Sequence, residues 1–207
     1  MKKTFFIIIS GAVFSLLLLS ALNTQQKEEI FYYYFDEKIF IDQRTDRIFV
    51  KFAPDATREQ LSALIGKAVS LQPTSEISLD DGYRRFAVLE AKDGRSIPAA
   101  ILADFMTQPE VVSATYMFLS DHGKFQAFTD EFVVYLKPTT SYAQLLELAE
   151  KHHCAVSEED MMQKNEFLMY VSKTSQLDAR QMANLFHETG LLVSVPGTLR
   201  FQLMQAV

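Results

Sequence analysis

Cysteine is almost absent from this chain of 207 residues, whose single thiol is Cys154. One cysteine cannot form an internal disulfide, which excludes the disulfide frameworks that hold many small secreted proteins together. Cys154 is also far from the N-terminus, whereas the lipid-bearing cysteine of a bacterial lipoprotein directly follows its apolar segment. The fold must therefore depend on a hydrophobic core.

Positive charge is scarce as well. The chain has 20 lysines and arginines against 26 acidic side chains, a net charge of −6. Without Lys2 and Lys3, which lie in the N-terminal segment discussed below, 18 basic side chains remain against 26, or −8. An acidic surface repels the phosphate backbone of nucleic acids, so no nucleic-acid partner is predicted.

Signatures of enzymes and metal sites are missing too. The sequence has no glycine-rich phosphate loop and no paired-cysteine zinc pattern. The cluster His152–Cys154 consists of adjacent residues at the end of a predicted helix, where side chains diverge and a positive charge favours the helix dipole. Ser120–His122 are neighbours in sequence, whereas a catalytic triad converges from separated positions. Neither cluster predicts catalysis.

Two acidic clusters have equally plain interpretations. Glu158–Asp160 lacks the alternating ligand spacing and the glycine of a calcium loop, so a solvated turn is predicted. Asp80–Gly82 has the composition of a hairpin turn. No metal, cofactor or catalytic residue is predicted. An enzyme stays an alternative only if polar groups distant in sequence converge in a pocket.

The N-terminus carries the one long apolar run of the chain. "MKKTFFIIISGAVFSLLLLSAL" has two lysines, an apolar stretch from Phe5 to Leu19, and then small and polar residues. This layout is typical of a secretory signal peptide, here placed at residues 1–24. We therefore expect an exported protein of the periplasm, cell envelope or extracellular space. Ala21 lacks an Ala-x-Ala context, so an uncleaved membrane anchor is the alternative.

An aromatic segment follows, within residues 25–43. "IFYYYFDEKIFID" runs from Ile30 to Asp42 and is dense in residues that favour strands, with Asp36-Glu37 as the expected turn. The pattern predicts an N-terminal β-hairpin that is buried. A binding platform of exposed aromatic rings is the alternative.

The main feature of the remaining chain is an internal repeat. "DRIFVKFAPDATREQLSAL" (Asp46–Leu64) and "DEFVVYLKPTTSYAQLLEL" (Asp130–Leu148) agree at an offset of 84 positions. Each has an alternating strand, a proline that ends it, and a capping box that begins a helix, formed by Thr57 with Gln60 and by Ser141 with Gln144. The similarity indicates duplication of one small domain.

The repeat continues beyond the first helix of each copy. The stretch "RRFAVLEAKDGRS" (84–96) aligns with "NEFLMYVSKTSQL" (165–177), and a second helix and a last strand follow in both copies. Each copy therefore has the order β-α-β-β-α-β, which suits a ferredoxin-like sandwich of antiparallel strands with helices on one face. The predicted fold class is α+β, with tandem units at 44–119 and 129–203, a linker at 120–128 and a tail at 204–207.

Several passages together resemble a known family. "FYYYFDEKIF", "RIFVKFAPDATREQL", "RFAVLEAKDG", "PEVVSATYMF" and "TDEFVVYLKPTTSYAQLLELAEKHHC" are similar to the N-terminal prodomain of secreted subtilisin-like serine proteases of Bacteroides-type bacteria, a fervidolysin-like propeptide region. The resemblance extends from Ile30 to Phe201. It implies ferredoxin-like modules that assist folding of a protease domain and block its active site until cleavage.

Comparison with the same family indicates that this chain is not itself a protease. The family's Asp-Ser/Thr-Gly, His-Gly-Thr-His and Gly-Thr-Ser-Met-Ala motifs are missing, and Gly197-Thr198 lacks the nucleophilic serine. The chain is therefore expected to be a non-enzymatic prodomain that binds a subtilisin-like protease domain in trans. The alternative is a free-standing exported module that binds another protein or a peptide.

A propeptide of this kind inhibits by presenting a sheet face and laying an extended tail in the substrate cleft as an added strand. In this chain the tail would run from Phe201 to the end. The protein-binding residues that we expect it to contribute are Phe201, Leu203, Met204, Ala206 and Val207. The competing interpretation of this segment is the frayed end of the last strand.

Overall fold

The computed structural model describes residues 29–79, 85–120, 123–157, 165–175 and 177–193, together with the backbone of 199–203. The expected signal peptide and the expected tail residues Met204, Ala206 and Val207 lie outside the described residues. The fold is α+β, with antiparallel sheets and, among the described residues, four helices. No helix in this part of the chain is long and apolar enough to cross a membrane.

The part of the chain that the structure describes contains ten strands and four helices. The strands are β1 (Phe31–Tyr34), β2 (Glu37–Phe40), β3 (Asp42–Phe52), β4 (Leu71–Ser78), β5 (Phe86–Ala91), β6 (Val111–Leu119), β7 (Phe125–Tyr135), β8 (Cys154–Ser157), β9 (Glu166–Val171) and β10 (Leu199–Leu203). The helices are α1 (Arg58–Lys67), α2 (Ala99–Thr107), α3 (Tyr142–Lys151) and α4 (Ala179–Glu188).

One sheet of eight strands joins both halves of the chain. Its first half has the order β4-β5-β3-β6, and in its second half β8 pairs with β9, β9 with β7, and β7 with β10. All of these pairs are antiparallel. When the strands of each half are numbered in chain order, both halves have the order second-third-first-fourth across the sheet.

Side-chain alternation places the same positions of the repeat in two separate cores. Ile48, Val50 and Phe52 of β3 pack with residues of α1 and α2. Their partners at the 84-residue offset, Phe132, Val134 and Leu136, pack with residues of α3 and α4. The repeat therefore has a structural counterpart at this strand, because equal spacing places equal positions on the same face.

The predicted alignment of the later strands is wrong by one residue. Lys51 pairs with Phe86 in β5, and Tyr135, the repeat partner of Lys51, pairs with Glu166 in β9. Phe86 therefore corresponds to Glu166 rather than to Phe167. A slip of one residue moves every side chain of a strand to the opposite face. The sequence match of two phenylalanines is thus misleading.

The connection between the halves is shorter than the expected linker at 120–128. β7 begins at Phe125, and its first two residues pair with Leu119 and Phe118 of β6 as a hairpin. Gly123 has a φ of 71° in this turn, which glycine tolerates without strain. Residues 125–128 form a strand rather than a linker because Ala127 and Phe128 are buried on its two faces.

The N-terminal hairpin is confirmed, with its turn one residue earlier than expected. The turn residues are Phe35 and Asp36, and Phe35 has a φ of 54°. The burial of the aromatic run is mixed. Tyr32 packs against the core near Phe128, whereas the large exposed side chains of the hairpin are those of Tyr34, Phe35 and Phe40.

The face of the sheet opposite the helices is also filled. Phe49, Val88, Met117 and Ala127 form a third buried cluster there, and none of the four is more than 1% exposed. The rings of Phe49 and Phe86 stack with centroids 5.5 Å apart, and the Arg47 guanidinium lies 4.6 Å from the Phe125 ring centroid. A propeptide is expected to present this sheet face to its enzyme. At this cluster the apolar side chains of the face are already buried.

Both predicted capping boxes are confirmed. The Thr57 hydroxyl accepts from the Gln60 backbone N–H at 3.2 Å while the Gln60 side chain accepts from the Thr57 N–H at 2.7 Å. Ser141 and Gln144 do the same in α3. We expect Thr57→Ala to lower the free energy of unfolding by about 1 kcal/mol, and Ser141→Ala similarly, because a helix N–H loses its acceptor.

Urea denaturation followed by circular dichroism measures these losses. Thr57→Ser is the matched control, since it keeps the hydroxyl and should stay close to the parent protein. A Thr57→Ala protein as stable as the serine variant would contradict a contribution from the cap.

Candidate functional site

The candidate functional site is an opening between the two halves of the sheet. β6 and β7 pair only at Phe118–Leu119 with Phe125–Gln126, and then diverge. The space between them is a cavity of about 210 Å³. We call it the inter-unit cleft. Its lining residues are Met106, Val112, Ser113, Ala114, Thr115, Thr129, Asp130, Val171, Ser172, Lys173, Ser175, Leu177, Asp178 and Ala179.

The cleft lies along the hydrogen-bonding edge of β6, and not against either side of the strand from which side chains project. Side chains of a strand alternate between faces, so four consecutive residues line one space only when that space lies at the strand's edge. Residues 112–115 do so here. The opposite edge of β6 pairs with β3, and within the described residues no strand pairs with 111–117 on the cleft side. The cleft is therefore bordered by a strand edge with hydrogen-bonding potential.

A compact group of charges lies beside the floor of the cleft. The Lys51 ammonium donates to Asp130 Oδ1 and to Glu131 Oε1, both at 2.6 Å. The side chains of Lys51, Asp130 and Glu131 are only 18%, 10% and 19% exposed. Because Lys51 is on β3 and the carboxylates are on β7, this cluster joins the two repeats electrostatically.

The pKa shifts of Lys51 and Asp130 in this cluster reflect burial and the neighbouring charges. Burial raises the pKa of Asp130 above its ordinary 3.8, and Glu131 raises it further, against the lowering effect of Lys51. For Lys51, burial is the largest single influence and lowers the pKa, but the two carboxylates together raise it above 10.5. Lys51 is therefore charged at neutral pH, while Asp130 is incompletely compensated.

The raised pKa of Asp130 predicts that the free energy of unfolding depends on pH. Since the pKa of Asp130 is raised on folding, the native state binds this proton more tightly than the unfolded state. The contribution of Asp130 to the free energy of unfolding should therefore rise as pH falls from 7 through its folded pKa towards 3.8. In Asp130→Asn this contribution is absent.

The difference between the parent and Asp130→Asn unfolding free energies, measured in urea from pH 7 to pH 4, should accordingly shift in favour of the parent. Asp104→Asn, at an exposed position of α2, is the matched control. A difference that is constant with pH, or that shifts the other way, would contradict the assigned direction.

Hydroxyl groups complete the polar side of the cleft. Thr115 Oγ1 donates to the Phe128 carbonyl at 3.1 Å and so bridges the two diverging strands. Ser113 is 7% exposed, and its buried Oγ has no hydrogen-bond partner among the described residues. An unpaired buried hydroxyl is unfavourable by about 1–3 kcal/mol.

The mouth of the cleft combines an apolar wall with one crossing contact. Met106, Val171 and Leu177 supply apolar surface. Lys173 Nζ donates to the Gln108 carbonyl at 2.6 Å, which links the end of β9 to the end of α2. The site thus has apolar sides, a polar floor and a bridging contact at its rim.

The expected tail residues occupy a different part of the fold. Phe201 and Leu203 lie in β10, whose backbone pairs with Phe128 and Gln126 of β7. β10 begins at Leu199, and Leu192 makes an isolated bridge to Leu136. Within the described residues, β7 is the partner strand of β10. The other three expected binding residues lie outside the described residues.

The N-terminal hairpin is held on α4 by a polar clamp. The Asn184 carboxamide accepts from the Tyr33 N–H at 3.3 Å and donates to the Phe31 carbonyl at 3.0 Å. Arg180 donates to the same carbonyl at 2.9 Å, and the Tyr33 ring stacks on His187 with centroids 4.1 Å apart. The hairpin is thus a docked part of the second unit rather than a free arm.

The His152–Cys154 cluster has the structural role predicted for it. His152 is the C-cap of α3, His153 has a φ of 55°, and Cys154 begins β8. Ser175 Oγ donates to the carbonyls of His152 and His153. These contacts stabilise the turn from helix to strand. Within the described residues no group of three or more metal-ligand side chains is present.

Burial makes Cys154 a poor nucleophile. Desolvation raises the pKa of its thiol to about 11, although a hydrogen bond with Ser175 acts in the lowering direction. At pH 8 the thiolate fraction is then on the order of one in a thousand, against roughly one in four for a free cysteine. We expect alkylation by iodoacetamide to be about a hundredfold slower in the native protein than in urea.

Mass spectrometry of the alkylated protein over time measures this rate, and the urea-unfolded protein serves as the internal control. Equal rates in the two states would show that the native thiol is accessible and that its pKa is not raised.

The other short clusters lie partly or wholly outside the described residues. These are Asp80–Gly82, Asp121-His122 and Glu158–Asp160. The cleft itself was not predicted. Lys51 and Asp130 are separated by 79 positions, and each looks like a solvent-facing residue of an alternating strand. The one available signal was a lysine within the otherwise apolar stretch 48–52 of β3.

Comparisons with known proteins do not assign the chain to a family. Its sequence matches no model of a known protein family and no curated protein.

Proposed function

We propose that this protein is a prodomain-like module that binds a subtilisin-like protease domain in trans and acts as its folding assistant and inhibitor. In this proposal the two halves are duplicated ferredoxin-like units. Support comes from the shared strand order, second-third-first-fourth, and from the equivalent capping boxes of α1 and α3. The order is that of a split βαβ sandwich.

The observation that carries the proposal is the extended backbone of β10. Residues 199–203 form a strand at the edge of β7, and Phe201 and Leu203 are two positions apart on it. An inhibitor that binds by strand addition requires this conformation. The expected tail continues directly from it.

The buried cluster on the sheet face opposite the helices makes that face a poor binding surface for the protease. Phe49 and Val88 are already buried within the chain, so docking there would add little apolar contact. The proposal therefore assigns the inhibitory contacts to the segment that begins at Phe201, and not to the centre of the sheet face.

Titration of the purified protein against subtilisin-like proteases, with peptide hydrolysis as the readout, tests this function. We expect slow, tight inhibition that weakens at least tenfold when the last seven residues are deleted. Leu146→Ser, at an exposed position of α3, is the control and should inhibit like the parent. Circular dichroism establishes that each variant is folded.

The absence of inhibition by a folded protein would contradict the prodomain proposal. The function would then be that of a free-standing exported module that binds a protein or peptide. The inter-unit cleft favours this second function, because no strand of the described residues pairs with the edge of β6 that borders it.

A further inference from the structure

We propose that the tip of the N-terminal hairpin contacts the interfacial layer of a lipid bilayer, and that the N-terminal apolar segment is retained in that bilayer. The tip consists of Tyr34 and Phe35, and we call it the aromatic tip. Three observations point to this contact: the exposure of the two rings, the backbone conformation of Phe35, and the short stretch of chain between the apolar segment and the hairpin. The contact does not depend on protease inhibition, because the hairpin and β10 are separate elements.

Exposed aromatic side chains are concentrated in this hairpin. Among the described residues, the large aromatic side chains that are exposed are those of Tyr34 at 43%, Phe35 at 45% and Phe40 at 51%. The Tyr34 and Phe35 rings lie edge to face with centroids 5.1 Å apart, and neither ring belongs to one of the three buried clusters. Neighbouring exposed apolar side chains mark a surface that contacts a partner or a membrane.

The backbone of Phe35 has a conformation that a bulky side chain disfavours. Its φ is 54°, in the left-handed region, where a hairpin turn normally has glycine or asparagine. A phenylalanine there makes the turn less stable, and an exposed ring returns little packing energy to offset this strain. The fold alone would favour glycine at this position. A contact outside the protein gives the ring a reason to be there.

The hairpin holds the aromatic tip in a fixed position on the second unit. Asn184 and Arg180 of α4 donate to the Phe31 carbonyl, and the Tyr33 hydroxyl donates to Glu188 Oε1 at 3.0 Å. The tip begins one residue after Tyr33. A membrane contact at the tip would therefore also set the orientation of the second unit relative to the bilayer.

The N-terminal sequence suits a segment that stays in the membrane. The 18 residues from Phe5 to Leu22 carry no charged side chain, and roughly 17–25 such residues span a bilayer. Lys2 and Lys3 precede them, a pattern that directs the N-terminus to the cytoplasmic side and the following chain outside. Ala21 lacks the Ala-x-Ala context of a cleaved signal peptide. These features favour the membrane anchor over the cleaved signal.

The chain between this segment and the hairpin keeps the hairpin near the bilayer. Seven residues, 23–29, lie between Leu22 and Ile30, and a stretch of this length reaches at most about 25 Å. Ile30 is at the base of the hairpin, where its carbonyl accepts from the Ile41 N–H at 2.9 Å. The tip is five residues further on, about 17 Å along a strand. The aromatic tip is therefore within reach of the bilayer surface.

The chemistry of the tip fits the interfacial layer of zwitterionic lipid. Aromatic rings favour this layer, where the ring meets the acyl chains and a tyrosine hydroxyl meets water. Asp36 and Glu37 are exposed beside the rings, and their carboxylates suit the headgroup layer, in which phosphatidylethanolamine carries ammonium groups. The chain has a net charge of −6, so an anionic lipid surface would repel it.

Tryptophan fluorescence in vesicles tests the contact, because the chain contains no tryptophan. The full chain with Phe35→Trp is reconstituted into vesicles of phosphatidylethanolamine and phosphatidylcholine whose acyl chains are brominated, since bromine quenches tryptophan only at close range. Val69→Trp, at a 79% exposed position between α1 and β4, is the matched control. Circular dichroism establishes that each variant is folded.

We expect brominated lipid to quench Phe35→Trp at least about threefold more strongly than Val69→Trp. Tyr34→Trp should report the same contact. Adding Phe35→Gly to Tyr34→Trp should remove most of the quenching, because glycine accepts the positive φ without strain but has no ring. Adding Phe35→Leu instead should preserve most of it, because leucine is also apolar.

A separate measurement establishes whether the N-terminal segment is retained. Mass spectrometry of the protein from the membrane fraction of expressing bacteria should give the mass of a chain that still contains Phe5–Leu22. Three results would overturn the proposal. These are a chain that begins after Leu22, equal quenching of Phe35→Trp and Val69→Trp, and quenching of Tyr34→Trp that Phe35→Gly does not change.

Discussion

Replacing Lys51 by methionine is expected to lower the free energy of unfolding by about 3–5 kcal/mol. Methionine keeps most of the aliphatic volume but removes the ammonium group that binds Asp130 and Glu131 at 2.6 Å. The Asp130 carboxylate, whose side chain is 10% exposed, would then be buried without the ammonium group that binds it. Urea denaturation at pH 7, followed by circular dichroism, measures the loss.

Two further variants show whether the cause is the uncompensated charge. Lys124→Met changes an exposed lysine of the β6–β7 turn and should alter stability by less than about 0.5 kcal/mol. The triple variant with Lys51→Met, Asp130→Asn and Glu131→Gln should recover most of the stability, because no buried charge remains. If Lys51→Met lowers the free energy of unfolding by less than about 1 kcal/mol, the carboxylates are hydrated well enough that the ammonium group is not needed for stability.

Replacing Phe186 by alanine is expected to lower the free energy of unfolding by about 3–5 kcal/mol. Phe186 on α4 is fully buried, and its ring centroid lies 5.3 Å from that of Phe132 in an edge-to-face arrangement. Removing the ring leaves a cavity between α4 and β7 and also removes the aromatic pair. The same denaturation experiment measures this loss.

Leu146→Ala is the matched control for this substitution, since Leu146 is 43% exposed on α3 and should contribute much less. Phe105 on α2 is 4% exposed and tests the first core in the same way. Because one sheet and the Lys51 cluster join the two cores, we expect either core variant to shift a single unfolding transition. Two separated transitions would contradict this coupling.

Local features of the fold were predictable because their causes are local. A hydroxyl residue followed three positions later by glutamine forms a capping box wherever a helix begins, and both predicted boxes are present. Alternation of apolar residues likewise placed Ile48 and Phe132 in their cores. These effects depend on neighbours within about one helical turn or one strand.

Strand register was less predictable. The phenylalanines at 86 and 167 match in the sequence, yet in the sheet Phe86 corresponds to Glu166. Pairing across strands depends on loop lengths and on which face is covered, and short similar strings do not report either. The same limit explains why the turn of the hairpin and the start of β7 differ from the predicted positions by a few residues.

The sequence by itself determined the α+β class and the positions at which α1 and α3 begin. Only the tertiary structure decided that β6 and β7 diverge, that Lys51 meets Asp130 and Glu131, and that Ser113 is buried beside them. The physical reason is the sequence separation of the residues that each interaction brings together. Capping and alternation depend on residues close in sequence, whereas the cleft depends on charges and strand edges that meet only when the two halves pack together.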